Sequence, residues 1–257
     1  SGSDQIWNVY CNDFNYAYFL PFVKSGKRIA YAPSMGSGLS IKTCDKIGLI
    51  QELLVKYDVI GMRETIGARY IEKITSKQVA TVLDPTLLFK PEDYDTLIDK
   101  KPLIKGDYVF IYSPNYNEKV NEMAAALGDK YNKQVVISQG LVSKEAMLKW
   151  GKKFKIYPAA GPKEFLNLCK YASIVCCDSF HAVVFSILFK KCFFTLNGMK
   201  DNRISNLLER LHLQDRSFSL SDTYLDAPLQ IDFTETFNLL ETERRKSLNW
   251  LKQSLEK

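Results

Sequence analysis

The sequence predicts an α/β protein built from two Rossmann-like lobes. Three observations carry that prediction. Short apolar segments alternate with stretches of helical periodicity along most of the chain. The apolar segments are rich in β-branched residues, as strands of a parallel sheet covered on both faces are. A charge- and Pro-rich stretch, 90–105, interrupts the alternation once and reads as a linker between two such runs.

Taken in order, a short strand is predicted over 28–32, ending at Pro33. Ile47, Ile50, Leu54 and Tyr57 then recur at helical spacing. The next strand is Val59–Met62, followed by a helix marked by Ile66, Tyr70, Ile71 and Ile74. A strand over 79–83 is closed by Asp84-Pro85. Beyond the linker, strands are predicted at Tyr108–Tyr112, Gln134–Ser138, Phe154–Tyr157, 173–177 and Cys192–Leu196. Helical stretches lie between them near 118–127, 144–150, 162–171 and 180–189. Finally, Phe237, Leu240, Leu248, Leu251 and Leu255 form one stripe of an amphipathic helix. Glu235, Glu241, Glu243 and Glu256 argue against a membrane-surface helix, so it is expected to dock on the body of the protein. The domain reading is therefore 1–100, a first lobe; 101–233, a second lobe; and 234–257, the docked helix.

Composition narrows the class. With 46% hydrophobic and 25% charged residues over 257 positions, the chain is neither a disordered tail, a collagen-like fibre nor a small disulfide scaffold. Its net charge of +6 suits an anionic ligand or surface but is too mild for a nucleic-acid binder. No apolar run reaches the ~20 residues of a membrane span; the longest candidate, 182–189, is cut off by Lys190 and Lys191. No secretory signal pattern is visible. Cys11, Cys44, Cys169, Cys176, Cys177 and Cys192 follow neither a zinc pattern nor a secreted framework. They read as reduced thiols of a cytosolic protein.

Ligands of open parallel sheets bind outside the carboxyl ends of the strands, so the residues after each strand are the candidates. Val59–Met62 runs straight into Arg63-Glu64 and a helix, and the strand at 173–177 into Asp178-Ser179-Phe180-His181 and a helix. Helix starts attract anions through their exposed N–H groups. Arg63 adds a planar cation suited to phosphate or carboxylate. His181 is one of two histidines, the side-chain type that can switch protonation near neutral pH. The two are expected to face each other across an interlobe cleft. The Gly/Ser loops Ser1-Gly2-Ser3-Asp4 and Pro33-Ser34-Met35-Gly36-Ser37-Gly38 let backbone approach an anion. Gly161-Pro162-Lys163-Glu164-Phe165 reads as a capped helix start, His212 as structural, and Cys176 and Cys177 as buried and inert.

In this order, Gly2-Ser3-Asp4-Gln5-Ile6-Trp7-Asn8, Tyr31-Ala32-Pro33-Ser34-Met35-Gly36, Arg63-Glu64, Asp84-Pro85-Thr86, Gly161–Phe165, Asp178–His181 and Arg203-Ile204-Ser205-Asn206-Leu207-Leu208 resemble the polysaccharide pyruvyl transferase family. The resemblance runs from the first residues to about residue 213. It implies a fold like the GT-B glycosyltransferases, with opening strands of the first lobe that would precede Ser1. It implies transfer of a pyruvyl unit from phosphoenolpyruvate to two hydroxyls of a sugar, with phosphate released and no metal or redox cofactor required. Arg63 and His181 carry over as phosphoenolpyruvate contacts, His181 also as a candidate acid/base, and Arg203 as a second phosphate clamp. Asp4, Asp178 and Glu164 carry over as candidate bases or orienters, and Ser34, Gly36 and Ser179 as substrate-binding positions. Many members have Arg two residues before the His and Gly after it; here Ser179 and Ala182 stand there. Anion binding therefore leans on Arg63, a helix end and Arg203. The expected partners are phosphoenolpyruvate and a lipid- or nucleotide-linked sugar acceptor, and the expected place is the cytoplasm, at the inner face of the membrane where the acceptor's carrier requires it. Two other readings stay open: a GT-B glycosyltransferase using a nucleotide sugar, and a non-catalytic glycan-binding relative.

Overall fold

The computed structural model describes residues 6–10, 15–36, 40–138, 148–151, 153–157, 160–219, 221–222 and 224–256. The chain forms two compact units. The first comprises 1–88, 200–212 and 235–257, and the second 89–199 and 213–234. This corrects the sequence boundaries: the first division falls after Leu88 rather than at residue 100, and the chain later returns to the first unit twice.

In the first unit, β1 (Ile29–Tyr31), β2 (Val59–Met62) and β3 (Val79–Thr81) form a parallel sheet in that order. Ala30 lies opposite Ile60, and Gly61 opposite Ala80. Helices α1 (Ile47–Val55) and α2 (Thr65–Thr75) supply the crossovers, burying Ile50, Leu53, Leu54, Ala68 and Ile71. Ser76, in the left-handed region, ends α2. Trp7 is almost fully buried, stacked on Phe19 at 5.4 Å and edge-on to Tyr57 at 5.7 Å. Its N–H donates to the Ser34 carbonyl at 3.2 Å, which ties the Ile6–Asn8 stretch to the loop after β1.

In the second unit, β4 (Tyr108–Tyr112), β5 (Gln134–Ser138), β6 (Phe154–Tyr157), β7 (Ile174–Cys177), β8 (Cys192–Leu196) and β9 (Ser217–Phe218) form one parallel sheet. Its order is β6-β5-β4-β7-β8-β9. Successive strands move outward on one side from β4 and on the other from β7, so the order reverses between these two. Helices α3 (Glu118–Tyr131), α4 (Pro162–Tyr171) and α5 (Phe180–Leu188) connect them. Gly128 on α3 is fixed by packing: a Cβ there would stand 2.6 Å from Val135 Cγ2.

Three expectations change. The stretch 90–105 is not a linker. It contains a short 3-10 helix, Pro91–Thr96, and buries Tyr94, Ile98 and Ile104 within the second unit. Asn167 pins it by accepting from Leu103 N–H at 3.0 Å and donating to the carbonyls of Asp99 and Lys101. Its many charges face solvent, which is why composition read it as a linker. Second, α6 (Asn202–Arg210) lies in the first unit, so Arg203 does not belong to the second lobe.

Third, α7 (Thr234–Glu256) docks on the first unit as expected, but only part of the apolar stripe, Leu240 and Leu251, packs there, beside buried polar residues. Leu248 and Leu255 are exposed, whereas Leu240, Arg244, Ser247 and Ser254 are buried. Arg244 Nε donates to the Leu87 carbonyl at 2.9 Å, and Ser247 Oγ accepts from Leu83 N–H at 3.0 Å. These bonds serve backbone groups beyond β3 that burial would otherwise leave unpaired. Trp250 covers Gly61 on β2, where a Cβ would lie 2.8 Å from the indole. No helix among the described residues is long and apolar enough to cross a membrane.

Candidate functional site

The carboxyl ends of β1, β2 and β3 gather one polar cluster in the first unit. Arg63 follows β2 and is nearly buried, its Nη2 2.7 Å from Asp84 Oδ2 beyond β3. Arg63 N–H donates to the Pro33 carbonyl beyond β1. All three strand ends are thereby joined at one residue. Asp84 Oδ1 accepts from Thr86 N–H at 2.9 Å and from its hydroxyl at 2.5 Å, so the Asp84-Pro85-Thr86 motif is a turn that fixes the carboxylate facing Arg63.

The loop after β1 is equally constrained. Ser34 and Met35 are buried. Ser34 Oγ accepts from Gly36 N–H at 3.1 Å, and Glu64 Oε1 accepts from Met35 N–H at 3.0 Å. Gly36 sits at φ +82° with Asn8 packed against it: a Cβ would meet Asn8 Nδ2 at 2.8 Å. Both the conformation and the space require glycine. Burial pushes the Glu64 carboxyl up to about 7, against the opposing pull of the Met35 N–H, Arg63, Ser34 and Arg203.

Two residues that sequence reasoning missed complete this cluster. Asn206 Oδ1 accepts from Thr65 N–H at 3.2 Å and Thr65 Oγ1 at 2.8 Å, capping the start of α2 from a distant helix. Asp201 caps α6 through the N–H of Arg203 and binds the Arg203 guanidinium through both oxygens, at 2.9 and 2.5 Å. Arg203 is thus held in a fork-to-fork pair on the α6 start. Both lie within or beside the Arg203–Leu208 motif, and the free N-cap position of α2 was the signal for Asn206.

In the second unit, the reversal of strand order marks the crevice where such sheets bind ligands. Ser113 follows β4 and Asp178 follows β7; Ser113 Oγ donates to Asp178 Oδ2 at 3.0 Å across that point. Asn117 N–H donates to the same hydroxyl at 2.9 Å. Ser113 was also missed, although it occupies a strand end like those singled out. Ser179 precedes α5 without a side-chain cap bond, and His181 stands in the first turn, its ring edge-on to Phe180 at 5.3 Å. A cavity of about 570 Å³ opens here, lined by Tyr112, Phe165, Phe185, Ser138, Gly161 and His181, among others. Tyr112 and Phe165 pack at 4.4 Å between centroids. Glu164 is occupied as a helix cap, accepting from Gly161 N–H at 2.9 Å.

The structure thus gathers Arg63, Ser34, Gly36 and Arg203 in one unit and Asp178, Ser179, Glu164 and His181 in the other. Asp4 lies outside the described residues, as do Ser37 and Gly38 and most of the helix expected over 144–150. His212 makes an exposed pair with Glu235 at 2.9 Å. Cys169, Cys176, Cys177 and Cys192 are buried thiols whose pKa values burial raises, up to about 12 for Cys169, so they are unreactive as thiolates.

Two Rossmann-like α/β units with polar strand-end sites define a protein of the GT-B-like class. The particular family follows from the sequence match: the family model for polysaccharide pyruvyl transferase covers residues 1–198, and the chain belongs to that family. No curated protein matches the chain. Among solved structures, an apo structure of OtsA is similar at 11% identity and TM-score 0.50, covering 88% of this chain and 65% of that one. A UDP-GlcNAc 2-epimerase from Methanocaldococcus jannaschii is similar at 14% identity and TM-score 0.48, over 76% of this chain and 56% of that one. AviGT4, a glycosyltransferase of avilamycin A biosynthesis, is similar at 11% identity and TM-score 0.44, over 72% and 60%. The chain spans less than two thirds of each of these structures. At such identities they speak to the fold alone.

Proposed function

We propose that this protein transfers a pyruvyl group from phosphoenolpyruvate to a sugar diol of a polysaccharide or its precursor, as a cyclic ketal. The observation that carries the reading is the family match combined with where Arg63 and His181 stand, each directly after a parallel strand at a helix start. Arg63, with Arg203 nearby, supplies the cationic field that a phosphate or carboxylate needs. The step balances without a redox partner. A proton reaches the methylene carbon, C2 becomes electrophilic, and one sugar hydroxyl attacks it. The C2–O bond to phosphate breaks, and the second hydroxyl closes the ketal. The two hydroxyl protons replace the one given to carbon and protonate the leaving phosphate. His181 is the acid/base of this scheme, and Asp178 with Ser113 orients the acceptor. No metal or redox cofactor enters this scheme.

The aromatic cavity beside His181 suits the acceptor rather than the donor. Phosphoenolpyruvate is small and highly charged, whereas Tyr112, Phe165 and Phe185 offer ring faces for the apolar face of a sugar. A nucleotide-linked acceptor fits an enzyme of the cytoplasm, and a lipid-linked one an enzyme working there at the inner face of the membrane. The test is phosphate release from phosphoenolpyruvate in the presence of a nucleotide- and lipid-linked sugar extract. Arg63→Ala and His181→Ala should each abolish it; full activity in both variants would remove the site assignment.

The same cavity favours one second reading, a nucleotide-sugar glycosyltransferase, because aromatic walls also suit a nucleobase. UDP-glucose binding without any response to phosphoenolpyruvate would select it. Glycan binding with no turnover would select a non-catalytic relative.

A further inference from the structure

Glu64 stands beside the site arginine, yet it takes no part in the Arg63–Asp84 ion pair. Its side chain is 1% exposed. Oε1 accepts from Met35 N–H at 3.0 Å, and Oε2 is buried with no hydrogen-bond partner among the described residues. Its place is made by Gly67 on α2. A Cβ there would lie 3.1 Å from Glu64 Oε1, 3.0 Å from Met62 Cε and 3.1 Å from Met35 Cε. A buried carboxylate with an oxygen unused is unfavourable in its charged form.

The groups that face it are few. Arg63 on its own segment and Arg203 on α6 favour the anion, as do the Ser34 hydroxyl and the Met35 N–H; burial opposes them and prevails. Arg63 is already shared with Asp84. An anion arriving beside Arg63 would add negative charge to a site that already holds the Asp84, Asp201 and Glu64 carboxyls, Asp201 being paired with Arg203. Of these, Asp84 is fixed by Arg63 and Thr86, whereas Glu64 is balanced between its two protonation states near neutral pH.

We propose that Glu64 is a positioning residue that holds the Ser34–Gly36 loop through the Met35 N–H and takes up a proton when the anionic donor binds beside Arg63. The inference rests on the reading of phosphoenolpyruvate as that donor. One proton passes from solvent to Oε2, and no other bond changes. The protonated group keeps its carbonyl lone pairs, so Oε1 still accepts from Met35 N–H and the loop stays in place. The loop is thus held in both protonation states, while the charge of the site adjusts to its ligand.

The test is calorimetric titration with phosphoenolpyruvate at pH 7.0, in buffers of different ionisation enthalpy, on the wild type and Glu64→Gln. The expected result is that the wild type takes up roughly half a proton more than the variant, since a group with a pKa near the working pH is about half protonated before binding. The difference between the two proteins is the readout, because the phosphate of the ligand titrates near ~6 in both. Equal proton counts with binding intact would overturn the inference and leave the function standing. No binding to either protein would overturn both. A second measurement needs no ligand: the melting temperature of the wild type should fall between pH 5.5 and 8.0 by more than that of Glu64→Gln, and parallel curves would overturn the role of Glu64. If Glu64→Gln does not fold, Gly67→Ala takes its place. It crowds the carboxyl while adding a good helix former, and its proton count should differ from the wild type; an unchanged count would overturn the inference.

Discussion

Arg63 and Asp84 are an ion pair with both partners nearly buried. Removing one member of such a pair leaves an uncompensated charge. Arg63→Ala is therefore expected to lower stability as well as donor binding, whereas Arg63→Lys keeps the charge and loses the planar fork. Thermal melts beside phosphoenolpyruvate titrations separate the two effects. Glu64 gives a pH signature with a definite sign. Its folded pKa lies above the ordinary carboxylate range, at about 7. Its contribution to stability is therefore present in full below the unfolded value near 4.5 and is lost as pH rises through about 7. Asn206→Ala should cost about 1–2 kcal/mol, read by urea unfolding, through loss of the cap on α2. An unchanged midpoint would show that α2 needs no such cap. At this scale the sequence showed which polar residues follow a strand end, as Arg63 and Asp178 do. It was not legible where a partner comes from far along the chain, as Asn206 does to Thr65, because periodicity carries no information about such contacts.

The elements follow their hydrophobic pattern closely. Val59–Met62 and Tyr108–Tyr112 stand where the sequence puts them, because each is a short apolar run that the sheet buries almost throughout. The exceptions have a common cause. On α7, the buried face carries Leu240 together with Arg244 and Ser247, whose side chains bond backbone groups, while Leu248 and Leu255 are exposed. An apolar stripe alone could not reveal a face chosen for hydrogen bonding. Two substitutions test this docking. Gly61→Ala would drive a methyl into Trp250, with a cost of about 1–3 kcal/mol. Ser247→Ala would leave Leu83 N–H buried without its acceptor, at about 1–3 kcal/mol. Denaturant midpoints equal to the wild type in both would mean that α7 does not pack as described. The 90–105 stretch teaches the same lesson, since Asn167 orders a segment whose composition reads as a linker.

At the scale of the molecule, each unit has its own parallel sheet and its own buried core. The alternation of strands and helices made the α/β class and the presence of two units legible. The return of α6 and α7 to the first unit was not, because sequence order gives no sign of which sheet a late helix joins. Hydrogen exchange should show this directly. Removing residues 235–257 is expected to speed exchange at Val59–Met62 and leave Tyr108–Tyr112 and Ile174–Cys177 protected. The central claim is that the protein is built around an anionic three-carbon donor held at Arg63. The most direct measurement is calorimetric titration of the wild type, Arg63→Ala and His181→Ala with phosphoenolpyruvate, with UDP-glucose run alongside. The account predicts saturable phosphoenolpyruvate binding that is lost in Arg63→Ala, weakened in His181→Ala, and no heat from UDP-glucose. Saturable binding of UDP-glucose with no response to phosphoenolpyruvate would contradict it.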